Sequence, residues 1–85
     1  MKITEVDIKS VEEIKKEIEE NIGKQISIKE FNKQGKKLKE FNGVVLSAYT
    51  NLFLVKINIK GNYLNKSFSY VDFLTKDLSY ELINS

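Results

Sequence analysis

The segment Phe68-Ser69-Tyr70-Val71-Asp72-Phe73-Leu74-Thr75 changes its periodicity halfway along. Phe68 and Tyr70 are two residues apart, as on one face of a strand. Tyr70, Phe73 and Leu74 instead follow the spacing of a single helical or 3₁₀ turn. An alternating stretch from Leu78 to Leu82 comes next and predicts a last strand. A strand, one short turn and a last strand are a common ending of small SH3-like barrels, so this segment predicts that architecture.

The preceding residues predict four more strands. Phe53, Val55, Ile57 and Ile59 alternate with Leu54, Lys56, Asn58 and Lys60, which is the clearest strand pattern in the chain. Gly61-Asn62 fits a two-residue hairpin turn with glycine first, leading into a strand from Tyr63 to Tyr70. A first strand begins near Lys24, and a second runs from about Lys37 to Tyr49. Asn42-Gly43 lies inside the second strand and is interpreted as a bulge or bend rather than a hairpin turn, since a hairpin would leave poorly matched short strands.

The N-terminal part predicts one amphipathic helix. Ser10 and Glu13 have the spacing of a capping box. The apolar stripe consists of Val11, Ile14, Ile18 and Ile22, and Gly23 is expected to end the helix. Two roles for the stripe stay open, namely covering one end of the barrel or contacting a second copy or another partner. Residues 1–9 are expected to be an entry segment or extended arm.

The fold class predicted from these elements is mainly β with one N-terminal helix. The five short antiparallel strands are expected to form a small SH3-like or Sm-like five-stranded antiparallel barrel, because closure limits the number of exposed edges. An Sm-like arrangement fits the order of elements equally well. We expect residues 1–85 to form a single domain, with the helix at about 10–22 and the barrel at about 24–83.

The composition argues against catalysis and metal binding. The chain of 85 residues has no histidine and no cysteine, so the usual general base and the usual soft metal ligands are missing. The acidic residues cluster on the predicted helix as a solvated face, and Asp72 is interpreted as a turn residue. We therefore expect no enzyme activity, no metal and no cofactor. No secretion signal or apolar run of membrane-spanning length is present, which predicts a cytoplasmic protein.

A lysine-rich hairpin is the candidate binding site. Residues 24–40 contain six lysines and two glutamates, giving a local charge of +4. The candidate residues are Lys33, Lys36, Lys37 and Lys39, with Phe41 and Tyr49 as exposed aromatics that could stack on bases. Phe41 and Tyr49 share the strand parity of the lysines only if no bulge intervenes. In the alternative interpretation, the lysines protect an edge hairpin from aggregation and the aromatic residues fill the core.

From roughly Ile8 to Leu82, the chain resembles the Veg family, small proteins of Gram-positive bacteria. The similarity is carried by the closing segment, by Tyr49 with Leu52-Phe53, and by the runs Ile22-Gly23-Lys24, Gly35-Lys36-Lys37 and Gly43-Val44-Val45-Leu46. The family tends to have arginines in the first hairpin and a proline after the tyrosine. Here Lys36, Lys37 and Thr50 stand instead, and lysine cannot make the bidentate contacts of arginine.

The resemblance implies a regulatory role in stimulating biofilm formation, upstream of biofilm gene expression. The leading hypothesis is a non-enzymatic regulator that binds a macromolecular partner, expected to be a protein that regulates transcription. The alternative is direct binding of DNA or RNA through the lysine-rich hairpin. No membrane partner is expected, and a homodimer remains an option because small domains gain from self-association.

Overall fold

The computed structural model describes residues 10–83, and the predicted arm at residues 1–9 lies outside them. The protein is mainly β with one longer N-terminal helix, as predicted. The elements in chain order are α1 (Val11–Glu19), β1 (Gln25–Phe31), β2 (Lys37–Ala48), β3 (Leu52–Ile59), β4 (Asn62–Ser69), α2 (Val71–Leu74) and β5 (Leu78–Ile83). The change of period at Tyr70 does mark the passage from a strand to a single helical turn.

The five strands form one antiparallel sheet in the order β4-β3-β2-β1-β5. The sheet is open, because no strand pairing joins β4 to β5 within residues 10–83. The closed SH3-like or Sm-like barrel is therefore not confirmed. The short helix α2 links the two edge strands and contacts both of them.

The core lies on one face of the sheet, which we call the inner face. Because side chains alternate between the two faces of a strand, every second residue of β1 and β3 points to the inner face. Phe53, Val55 and Ile57 are buried there, as the sequence predicted. Ile59 is the exception, at 44% exposed, because it lies at the hairpin end beyond the core. The buried cluster consists of Ile14, Ile18, Ile26, Ile28, Val45, Phe53, Val55, Ile57, Phe68, Tyr70 and Leu78.

Helix α1 covers this core. The capping box is present, with the Ser10 hydroxyl accepting from the Glu13 amide and the Glu13 carboxylate accepting from the Ser10 amide. Ile14 and Ile18 are buried, which supports the covering role of the stripe. The helix ends at Glu19, three residues earlier than predicted, and Ile22 is 48% exposed in the following turn. The hydroxyl of Tyr80 donates to the Glu17 carboxylate, which ties α1 to β5.

Strand β2 is continuous through Asn42-Gly43, so the interpretation against a hairpin turn is confirmed. Of the predicted bulge or bend, the bulge is wrong at these residues, because β2 keeps its register with β1 through Asn42 and Gly43. The bulge lies instead at Leu46, between the pairs Val45–Val55 and Ser47–Leu54. Gly43 serves close packing of backbones, since a Cβ at this position would lie 2.3 Å from the carbonyl oxygen of Lys56.

The turn between β3 and β4 is displaced by one residue from the prediction. Ile59 pairs with Asn62, which leaves Lys60 and Gly61 as the two turn residues. Both have positive φ values, 53° for Lys60 and 87° for Gly61. This is the pattern of a type I′ turn with glycine second, whose twist matches that of the flanking strands.

Candidate functional site

An open cleft of about 600 Å³ lies at one end of the sheet. One side is the end of the β1–β2 hairpin, and the other is formed by β4, α2 and the start of β5. Both sides are fixed by the chain: the Phe31 amide donates to the Asp77 carbonyl at 2.9 Å, joining the end of β1 to the segment before β5. The cleft is therefore a feature of the folded sheet rather than of one loop.

The floor of the cleft is aromatic. The rings of Phe41 and Phe68 are 5.9 Å apart, and Phe68 is 5.9 Å from Phe53 in the core. The ammonium group of Lys66 lies 5.4 Å from the centre of the Phe41 ring and 5.8 Å from that of Phe68. At these distances the cation is attracted to the ring faces. An apolar surface with a cation held above it thus forms the middle of the cleft.

The charges around this floor are balanced. Three lysines line the cleft, from the β1–β2 turn, β2 and β4: Lys33, Lys39 and Lys66. Three carboxylates line it as well, from β1, α2 and the residue before β5: Glu30, Asp72 and Asp77. Among these, Asp77 also accepts a hydrogen bond of 2.9 Å from the Thr75 hydroxyl. The cleft can therefore pair with ligand groups of both signs.

Two of the predicted site residues are separated by a bulge. Glu30 pairs with Lys39 and Phe31 pairs with Lys37, which leaves Leu38 as an extra residue in β2. The bulge breaks the alternation of faces, so Lys37 and Lys39 do not share a face as predicted. Lys39 lines the cleft, whereas Lys37 is not among its lining residues.

Lys37 forms an ion pair outside the cleft. Its ammonium group donates to the Glu40 carboxylate at 3.0 Å, and the other oxygen of Glu40 accepts from the Ser27 hydroxyl at 3.1 Å. The hydrogen bond from Lys37, followed by that from Ser27, lowers the pKa of the Glu40 carboxyl group. Part of the positive charge of the hairpin is thus neutralised locally.

Lys36 belongs to the turn that connects β1 with β2. The Asn32 side chain accepts hydrogen bonds from the amides of Gln34 and Lys36, both at 2.9 Å, and Gly35 has a φ of 84°. Lys33 and Lys36 are exposed on this turn, but only Lys33 lines the cleft. Backbone hydrogen bonds from the Asn32 amide to the Lys36 carbonyl and from the Gly35 amide to the Asn32 carbonyl complete the turn.

Phe41 and Tyr49 are eight positions apart, so they do not lie together on β2. Phe41 is half-buried in the floor of the cleft, while Tyr49 follows the last residue of β2 and is 51% exposed. The Tyr49 hydroxyl accepts from Ser47, two residues before it. The bulge at Leu46 lies between Phe41 and Tyr49 and breaks the alternation of faces, so these two aromatic residues do not form one surface.

The prediction did not include several cleft residues. Lys66 and Phe68 could have been found, because they are two residues apart on a strand and share its inner face. Glu30, Asp72 and Asp77 come from three different elements, and no local pattern relates them. Asp72 is the predicted turn residue, and its carbonyl does accept from the Thr75 hydroxyl just after α2, while its side chain lines the cleft.

Within residues 10–83, no three histidine, cysteine, aspartate or glutamate side chains come together as metal ligands would. No helix in the same part of the chain has the length and apolar character needed to cross a membrane.

Fold and site together define a small antiparallel β protein with an open cleft that has an aromatic floor and mixed charge. Residues 9–81 match the model of the family described as biofilm formation stimulator VEG. The chain therefore belongs to the Veg family, as the sequence resemblance predicted. This is a family of biofilm stimulators and not a known enzyme family. No curated protein matches the chain.

Proposed function

We propose that this protein is a non-enzymatic regulator that acts in the cytoplasm and stimulates biofilm formation by binding a protein partner that regulates transcription. The binding surface in this proposal is the cleft between the β1–β2 hairpin and α2. Family membership supports the role in biofilm formation. The observation that favours a protein partner is the balanced set of three lysines and three carboxylates around an aromatic floor.

The charge balance favours a polypeptide over a nucleic acid. A phosphate backbone would be attracted by Lys33 and Lys39, but the neighbouring carboxylates of Glu30 and Asp72 would repel it. A polypeptide segment can carry both signs of charge and therefore pair with both sets of groups. It can also place an apolar side chain against Phe41 and Phe68, and aromatic residues of this kind are enriched at protein interfaces.

The second candidate function is direct nucleic-acid binding by the lysine-rich hairpin. It is supported by the local charge of +4 over residues 24–40 and by the exposure of Lys33 and Lys36 on the turn. In this case binding would involve Lys33, Lys36, Lys37 and Lys39 together, both inside and outside the cleft. Affinity would fall steeply with added salt, because each phosphate contact releases counterions.

Two double variants with the same change in net charge separate these functions. Lys33→Glu with Lys39→Glu alters the cleft, whereas Lys36→Glu with Lys37→Glu alters the hairpin outside it. Each variant replaces the native protein in a Veg-family host, and biofilm mass and transcription of biofilm genes are measured. Binding through the cleft predicts that only the first variant loses stimulation. Nucleic-acid binding by the hairpin predicts that both variants lose it.

The variant Asp72→Lys should weaken binding of a protein partner but strengthen binding of a nucleic acid. A protein partner would lose a carboxylate contact, so stimulation should fall. A nucleic acid would gain a cation, so its affinity should rise. Binding is measured with fluorescent single- and double-stranded DNA and RNA at low and at physiological salt. Salt-sensitive binding that strengthens in Asp72→Lys would overturn the protein-partner proposal, and full stimulation by every cleft variant would overturn the cleft as the site.

A further inference from the structure

Among residues 10–83, strand β4 is an edge of the sheet that no other strand covers. It is eight residues long, pairs within these residues with β3 alone, and shows no bulge in that pairing. Its sequence has no proline and a single charged residue, Lys66, whose ammonium group lies over the Phe41 and Phe68 rings. Edge strands usually carry charges, prolines or bulges that prevent pairing with another chain. The backbone of β4 can therefore form hydrogen bonds with a further strand.

The geometry of the hairpin tells which backbone groups face this free side. In a two-residue hairpin the closing pair, here Ile59 with Asn62, is hydrogen-bonded, and such pairs alternate along the strands. The amides and carbonyls of Asn62, Leu64 and Lys66 consequently point toward β3. Those of Tyr63, Asn65 and Ser67 point toward the free edge, so three consecutive odd positions can bond a further strand.

Apolar side chains are exposed around the same edge. Tyr63 is 63% exposed, Leu64 46% and Ile59 44%. They lie in the β3–β4 hairpin at the end away from α2, which contacts β4. Pairing with another strand at the N-terminal half of β4 would remove part of this apolar surface from water.

We propose that two copies of this chain associate through β4, antiparallel and related by a two-fold axis at Leu64, so that their sheets become one continuous sheet. This register pairs Leu64 with Leu64 of the second copy. It also places Asn62 opposite Lys66 and Tyr63 opposite Asn65. The strand is thus complementary to itself, and the odd positions with free backbone groups meet one another.

The register determines how far apart the lysines of the two copies lie. The two Lys66 residues are offset by four positions, or roughly 13 Å along the strand, which exceeds the screening length of about 8 Å at physiological salt. Lys60 of each copy approaches Lys66 of the other, so added salt should strengthen the association. This response is the opposite of that expected for nucleic-acid binding. A single strand pair is a small interface, and we expect a dissociation constant on the order of micromolar or weaker.

Asn65→Pro is the sharpest variant for a test. It removes an amide that faces only the free edge, while the pairing of β4 with β3 is kept, and proline is tolerated at such edge positions. Asn65→Thr is the matched control, because threonine keeps the amide and suits a strand. Leu64→Lys is an independent variant that places two like charges opposite each other at the axis. Leu64 does not line the cleft, so the test is separate from the proposed function.

The full-length protein and the three variants are studied by sedimentation equilibrium over a wide range of concentrations, at low and at physiological salt. We expect the wild type and Asn65→Thr to dimerise, and Asn65→Pro and Leu64→Lys to weaken the dimer at least about tenfold. Amide exchange of Tyr63, Asn65 and Ser67 should slow as the concentration rises. Circular dichroism shows which variants are folded. If Asn65→Pro is unfolded, the result for Leu64→Lys decides the test.

Three outcomes would overturn the proposal. The wild type could remain monomeric at the highest concentrations, or a dimer could persist unchanged in the folded edge variants. The amides of the edge could also be protected from exchange in the monomer, which would mean that another part of the same chain covers β4.

Discussion

The phenolic hydroxyl of Tyr70 donates a hydrogen bond of 3.0 Å to the backbone carbonyl of Tyr49. The Tyr70 amide also bonds the carbonyl of Asn51, and its ring is stacked on Phe53 at 5.5 Å. Tyr70 therefore joins the end of β4 to the turn between β2 and β3. The residue at which the sequence changes period is also the residue that holds these two parts of the sheet together.

Replacing Tyr70 by phenylalanine should lower the free energy of unfolding by about 1 kcal/mol, the usual net value of a hydrogen bond. The stacked ring is retained, so the change removes the hydroxyl contact and little else. Urea unfolding at neutral pH measures the effect. Tyr63→Phe is the control and should change stability by less than about 0.5 kcal/mol, because Tyr63 is exposed. Equal stability of Tyr70→Phe and the wild type would contradict a structural role for the hydroxyl.

The same hydroxyl predicts a response to alkaline pH. Burial, and then the charge of Glu19, raise the pKa of Tyr70 above its ordinary value of 10.0. The folded state therefore holds this proton more tightly than the unfolded state does. Its contribution is complete below the ordinary value and is lost as the pH rises toward and through the folded-state pKa. As the pH rises above about 10, the wild type should lose stability more steeply than Tyr70→Phe. Parallel curves would contradict the buried position of the hydroxyl.

Local signals in the sequence predicted most elements of this fold. Ser10 and Glu13 form the expected capping box, and the alternation of Phe53, Val55 and Ile57 gives a strand with one buried face. These features depend on residues close together in the chain. The same holds for α2, because the spacing of Tyr70 and Phe73 was enough to predict this helical turn.

Features that depend on a partner strand could not be predicted in this way. The bulges at Leu38 and Leu46 exist only relative to β1 and β3, and the bulge at Leu38 decides that Lys37 lies outside the cleft. Closure of the sheet depends likewise on where β4 and β5 lie in space. The cleft combines residues from six parts of the chain, so its lysines and aromatic residues were only partly predicted.

Gly43→Ala should destabilise the protein by about 1–3 kcal/mol or more, the cost of forcing extra volume into packed structure. The added Cβ would lie 2.3 Å from the Lys56 carbonyl oxygen and 2.8 Å from a methyl group of Val55, so β2 and β3 would have to separate. Thermal and urea unfolding provide the measurement. Asn42→Ala, at the exposed neighbouring position, should be nearly neutral. A Gly43→Ala protein with normal stability would mean that the two strands do not approach so closely.

Alanine substitutions of two isoleucines of the helix stripe should differ strongly in how much they destabilise the protein. Ile18→Ala removes a side chain that is 0% exposed and should cost about 2–5 kcal/mol, since it leaves a cavity between α1 and the sheet. Ile22→Ala, at 48% exposed in the turn after the helix, should cost less than about 1 kcal/mol. The pair tests whether the stripe mainly covers the core. Similar losses at both positions would argue that Ile22 is buried in a contact with another molecule.

Lys66 should stabilise the cleft through its position over the two rings. Lys66→Gln keeps a polar side chain but removes the charge, and should lower stability by about 0.5–1 kcal/mol. Lys66→Arg should be neutral or stabilising, because a guanidinium group stacks well on aromatic faces. A double-mutant cycle with Phe41→Leu isolates the contact from other effects of the charge, and the two changes should be less than additive. Full additivity would show that the ammonium group does not interact with the Phe41 ring, and the floor of the cleft would then be open for a cation supplied by a partner.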